Sequence, residues 1–207
     1  MPFVRRGPAP PATSDIQGGD PAAHLAALRS PDAEARWRAA RALSEDAAAV
    51  PALAAALAGE MAPRVREAIM TALMRIGDAA SVQALLPYLR SEDAGRRGAA
   101  IEALQALPAA ISPFMAALLA DADSDVRLLA TELARNMPAP QATKLLSDLI
   151  EREQHPNVCA AAVDVLAEVG TLDAVPALRS CAERFAGTAF LPFAVAVAIG
   201  RISGTES

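Results

Sequence analysis

Val65-Arg66-Glu67-Ala68-Ile69-Met70-Thr71-Ala72-Leu73 decides the fold, because the same template returns along the chain. Ala35-Arg36-Trp37-Arg38-Ala39-Ala40-Arg41-Ala42-Leu43 precedes it by about 30 residues. Val126-Arg127-Leu128-Leu129-Ala130-Thr131-Glu132-Leu133-Ala134 and Val158-Cys159-Ala160-Ala161-Ala162-Val163-Asp164-Val165-Leu166 follow it. A rougher copy opens with Arg96-Arg97 and places Ala99, Ala100, Ala103 and Leu104 at the apolar positions. Self-similarity at such a period is the mark of stacked supersecondary units, each too small to bury its own apolar face.

A second apolar stripe at i, i+3 and i+7 follows each copy and predicts a second helix in each unit. It runs Val50, Leu53, Leu57; Val82, Leu85, Leu89; Ile111, Phe114, Leu118; Ala142, Leu145, Leu149; and Val175, Leu178, Ala182. Gly77-Asp78, Leu107-Pro108, Met137-Pro138 and Gly170-Thr171 punctuate the pairs. Glycine suits the left-handed position after a helix, and proline cannot continue one. Ser30-Pro31-Asp32, Ser91-Glu92-Asp93, Asp121-Ala122-Asp123 and His155-Pro156-Asn157 separate the units and offer N-caps for the next first helix. His24 to Leu28, entered through Asp20-Pro21, reads as a lone second helix opening the stack. Phe190 to Ile202 reads as a lone first helix closing it, with Leu191, Val195 and Ile199 on one face. The expected fold is all-α: an α-α superhelix of about five helix pairs with capping helices, about eleven helices in all. Residues 1–19, with four prolines and three glycines, read as a flexible arm, residues 20–202 as the solenoid and residues 203–207 as a polar tail.

The Val-Arg pairs Val65-Arg66 and Val126-Arg127, the Ala72-Leu73 step and Ile76-Gly77-Asp78 resemble HEAT repeats, in particular the short bacterial type also found in phycobilin lyase subunits. The resemblance implies a HEAT-like solenoid whose second helices line the concave, partner-binding face. It also implies that Arg36, Arg66, Arg97 and Arg127 brace the acidic turns nearby. The fifth unit has Cys159 at that position, so its packing on the fourth is expected to differ.

Composition agrees with helices and narrows the chemistry. Apolar residues make up 53% of the chain and aromatics only 3%, so the core is built from Ala, Leu and Val. Ala and Leu lead the helix scale, while strand formers are scarce. A net charge of −5 argues against a nucleic-acid partner, since phosphate contacts demand a basic surface. No apolar run approaches the length of a membrane span, and Pro8, Pro10 and Pro11 stand where a signal peptide would be apolar. A cytoplasmic location is expected.

Side chains suited to catalysis are few. His24 and His155 lack a neighbouring Glu, so the His-Glu pairs of iron-binding HEAT hydroxylases are missing. Cys159 and Cys181 fall on the two helices of one unit without a Cys-x-x-Cys pair, which reads as buried free thiols and not as a zinc site. No phosphate-cradling glycine loop or nucleophile elbow occurs. The expectation is a non-catalytic protein-protein interaction adaptor with no catalytic or metal residues, no cofactor and no small-molecule ligand. Positions that break the repeat are freed from packing, which singles out Gln83, Tyr88, Arg90, Lys144, Asp148, Arg152 and Arg179 on the second helices as partner-binding residues. Trp37, the single tryptophan, stands where other units have Glu67, Gly98, Leu128 and Ala160, and joins them as a candidate hot spot. The alternative is a phycobilin-lyase-like subunit holding a tetrapyrrole or its acceptor protein. A HEAT-like DNA glycosylase ranks lower, because it would need a cationic concave face.

Overall fold

The structure, a computed structural model, describes residues 20–188 and 190–204. These residues form twelve α-helices and three short 3-10 segments, with no strand among them. The helices are α1 (Pro21–Ala27), α2 (Ala33–Ala42), α3 (Val50–Gly59), α4 (Pro63–Ile76), α5 (Ala79–Leu85), α6 (Ala94–Gln105), α7 (Pro108–Leu118), α8 (Ser124–Ala134), α9 (Ala139–Arg152), α10 (Pro156–Val169), α11 (Val175–Arg184) and α12 (Phe190–Ser203). First helices form one layer, in which α2, α4, α6, α8, α10 and α12 pack each on the next. Second helices form the other, with α3 against α5, α5 against α7 and α9 against α11. The lone α1 and α12 stand at the two ends as expected. The fold is the anticipated α-α superhelix, with one more helix than expected. The arm at residues 1–19 lies outside the described residues.

One apolar seam runs between the layers from Leu28 to Ala198. First helices contribute Ala39, Ala40 and Leu43, then Val65, Ile69, Ala72 and Leu73, and their later equivalents, all essentially without solvent exposure. Second helices depart from the expected stripe in three repeats. Met115, Leu146 and Cys181 are buried, whereas Phe114, Leu145 and Ala182 are only half-buried. In α7 and α9 the core takes the i, i+4 residue after Ile111 and Ala142, and in α11 it takes Cys181, three residues after Leu178 and not four; both steps land on one face of a 3.6-residue turn.

Proline and glycine set the local shape, not always as anticipated. Gly77 adopts φ +65 and closes α4 in the left-handed conformation. Gly170 does not, with φ −69 and ψ 157; a Cβ there would meet the Leu166 carbonyl oxygen at 2.4 Å, so close backbone approach is what requires glycine. Pro87 has no N–H for the Gln83 carbonyl, and the second helix of repeat two breaks into α5 and the 3-10 segment Leu86–Arg90. Asp32, Asp93 and Asp123 cap the helices they precede, accepting from backbone N–H groups inside. Ser30, Ser91 and Asp121 each accept from the N–H of the capping residue two positions on. The turn before α10 differs: His155 makes no side-chain cap, Pro156 opens the helix, and Asn157 lies within it.

Candidate functional site

The turns between repeats line one edge of the stack, and arginines tie them together. Arg36 Nε and Nη2 donate to the Glu60 carboxylate at 2.7 and 2.9 Å, while Nη1 donates to the Ser30 and Pro31 carbonyls. Arg127 repeats the arrangement with Glu153 at 2.6 and 3.0 Å and with the Asp121 and Ala122 carbonyls. Glu60 and Glu153 are buried, at 5% and 6% exposure, so planar two-point pairing is what allows them to stay charged. The Arg36 hydrogen bond holds the Glu60 carboxyl below its usual range, against the opposing effect of burial. Burial alone would raise the Glu153 carboxyl, but Arg127 and the backbone N–H groups of His155 and Gln154 outweigh it.

The other two expected braces take different forms. Arg97 donates to the Ser91 carbonyl at 2.6 Å. Arg66 leaves the equivalent carbonyl, that of Glu60, to Arg96 from the next repeat, and instead helps to hold the Asp93 carboxyl down. In repeat five the Cys159 thiol donates to the Glu153 carbonyl at 3.7 Å, six residues back as in the arginine repeats. The neighbouring Cys181, then burial, push that thiol far above its usual range, so it keeps its proton. The brace is weakened and not lost, and α10 still packs on α8 and α9.

The second-helix candidates divide by what already holds them. Gln83 and Arg179 are exposed and engage no other side chain among the described residues. Lys144 is exposed and donates to Asp148 at 2.9 Å along α9. Tyr88 is half-buried, and burial raises its phenol, with Arg96 opposing. Arg90 is ion-paired with Asp121, whose carboxyl is also held down by the Asp123 N–H. Arg152 donates to the Leu119 carbonyl, and Arg184, not among the candidates, donates to the Ile150 and Glu151 carbonyls. Arg152 and Arg184 thus supply cations to the C-terminus of the preceding second helix, where helix carbonyls lack partners. Glu60 and Glu153 were also missed. Their shared signal is Glu-x-x-Pro in Glu60-Met61-Ala62-Pro63 and Glu153-Gln154-His155-Pro156, each preceded by a repeat arginine.

Trp37 lies apart from these, on the first-helix layer. The Arg41 guanidinium sits 4.6 Å and the Arg64 guanidinium 4.1 Å from its ring centre. Each stack contributes about 0.5–1 kcal/mol at such half-exposed sites. The ring borders a cleft of about 350 Å³ between α2 and α4.

Comparison with known proteins follows this architecture. A family model for HEAT repeats matches residues 21–105 and 111–185. The chain belongs to the HEAT-repeat family. Among solved structures it is similar to an archaeal HEAT-like repeats protein from Thermococcus onnurineus NA1, at 16% identity and TM-score 0.53, over 90% of this chain and 88% of that one. It is also similar to the complex of CpcE and CpcF of phycocyanin lyase from Nostoc sp. PCC7120, at 20% identity and TM-score 0.41, over 97% and 100%. Computationally designed armadillo repeat proteins for modular peptide recognition align at 20% identity and TM-score 0.42, over 87% and 98%. No curated protein matches the sequence. Among the described residues no single helix is long and apolar enough to cross a membrane, and no group of three or more His, Cys, Asp or Glu could hold a metal ion.

Proposed function

We propose that the protein is a non-catalytic adaptor that seats a partner protein on the face of its second helices. The observation that carries this reading is the contrast along those helices. Every repeat buries an apolar side of its second helix, while Gln83, Lys144, Asp148 and Arg179 project into solvent and differ from repeat to repeat. A residue with no packing duty is available for recognition, and a rigid stack presents such residues at low ordering cost. Tyr88 and Arg179 are the anchors of this surface, because tyrosine and arginine combine contact area with hydrogen bonding. Arg90 and Arg152 border it and also hold neighbouring turns and helix ends, so they set its shape.

The test starts from co-purification in the native host, with the bound protein identified by mass spectrometry. A Tyr88→Ala, Arg179→Ala double variant is expected to keep its helical signal and lose that protein in a pull-down. Unchanged capture by the folded double variant would overturn the assignment of this face.

A further inference from the structure

The cleft beside Trp37 opens on the layer of first helices, away from the second-helix face, and its lining is charged. Its floor is Ala68 and Ala72, and its walls carry Trp37, Arg41, Arg64, Arg75 and Glu67. The lining carries three guanidinium groups and one carboxylate, in a chain whose net charge is −5. Arg64 and Arg75 are engaged on one side by Glu34 and Glu45, each at 2.9 Å, yet stay 64% and 55% exposed. Arg41 makes no ion pair among the described residues and rests on the indole. Stacking orients the Arg41 and Arg64 heads before any ligand arrives, which lowers the entropic cost of binding a planar carboxylate two-pronged.

The volume admits a few side chains and not a globular surface. Glu67 narrows the choice further. A phosphate chain would meet repulsion there, whereas a peptide offers backbone N–H donors to that carboxylate and acidic side chains to the arginines.

We propose that this cleft docks an acidic peptide segment, with Glu or Asp carboxylates on Arg41, Arg64 and Arg75 and a backbone N–H on Glu67. The site faces away from the second helices and stands whether or not a partner binds there.

Trp37 is the only tryptophan in the chain, so its fluorescence reports on the cleft directly. Blocked hexaglutamate is titrated against the full-length protein, with hexaglutamine and inorganic phosphate as parallel probes at matched ionic strength. Hexaglutamate is expected to give a saturable change in emission. Its affinity should fall about tenfold between 50 and 200 mM salt, as release of two or three charge contacts requires. Arg41→Ala, an exposed position whose loss leaves the fold intact by circular dichroism, should weaken binding about fivefold or more. Tyr88→Ala, Arg179→Ala should leave the titration unchanged, which separates this site from the second-helix face. An equal response to hexaglutamine would overturn the proposal, as would an Arg41→Ala titration identical to wild type. So would saturation by phosphate alone, which would mark a small-anion site.

Discussion

Removing one arginine of the turn-to-turn ladder tests whether buried pairing holds the stack. In Arg127→Ala the Glu153 carboxylate loses two charge-assisted hydrogen bonds, and the Asp121 and Ala122 carbonyls lose a shared donor. Stranding a fully buried carboxylate costs about 3–5 kcal/mol. Here the Gln154 and His155 N–H groups still donate to Glu153 at 3.0 and 2.9 Å, and the arginine side chain is 18% exposed. The expected loss is therefore about 2–3 kcal/mol at neutral pH. For a chain of this size that corresponds to a fall of about 5–10 °C in Tm. The sign of the pH dependence follows from the direction of the shift. The folded state holds Glu153 below its ordinary value, so the contribution is complete above about pH 5 and vanishes as pH falls through the folded-state value. Urea unfolding followed by circular dichroism at about pH 7 and about pH 3 should show wild type and variant converging in acid. A loss below about 0.5 kcal/mol at neutral pH, the scale of an exposed pair, would refute the reasoning, as would a gap of equal size at both pH values.

Two glycines should respond to alanine for different reasons. Gly170→Ala presses a Cβ onto the Leu166 carbonyl and should cost about 2–3 kcal/mol, whereas Gly77→Ala pays mainly for a left-handed backbone, about 1 kcal/mol. Thermal melts that reverse this order would show that the close approach at Gly170 relaxes freely. Leu73→Asp places an unpartnered carboxyl at a site with 0% exposure, and a loss on the order of 4 kcal/mol is expected. Near-wild-type stability in that variant would mean that α4 does not face the seam.

Most of the architecture could be read from apolar periodicity, because a stack asks the same packing duty of each unit. Val65, Ala72 and Leu73 are buried where the template put them, as are Val126, Leu133 and Ala134 and Val158, Val165 and Leu166. The reading slipped where periodicity is blind. Leu145 and Leu146 are adjacent leucines on one helix, and only packing against neighbours chooses Leu146 for the core. Gly170 carried a correct turn signal with more than one structural outcome. Polar pairing was the least legible. Arg36 and Glu60 are 24 residues apart, and nothing in a single helix's pattern says that a turn will fold one onto the other. For Arg90 and Arg152, the repeat-breaking criterion could not distinguish a residue left free from one bonded to the repeat before or after it.

The ladder of turns has a mechanical consequence. From Ser30 through Glu60, Asp93 and Asp121 to Glu153, one long edge of the stack is laced by guanidinium bonds, and the carboxylates at Glu60 and Glu153 are sheltered from water. The opposite long edge is crossed by links such as Arg75 to Glu45 and Arg135 to Asp164, where the carboxylates are 80% and 65% exposed. Salt screens those outer links and barely touches the sheltered ones. The solenoid is thus bound like a book: a spine whose links salt leaves in place, and a fore-edge whose links it loosens.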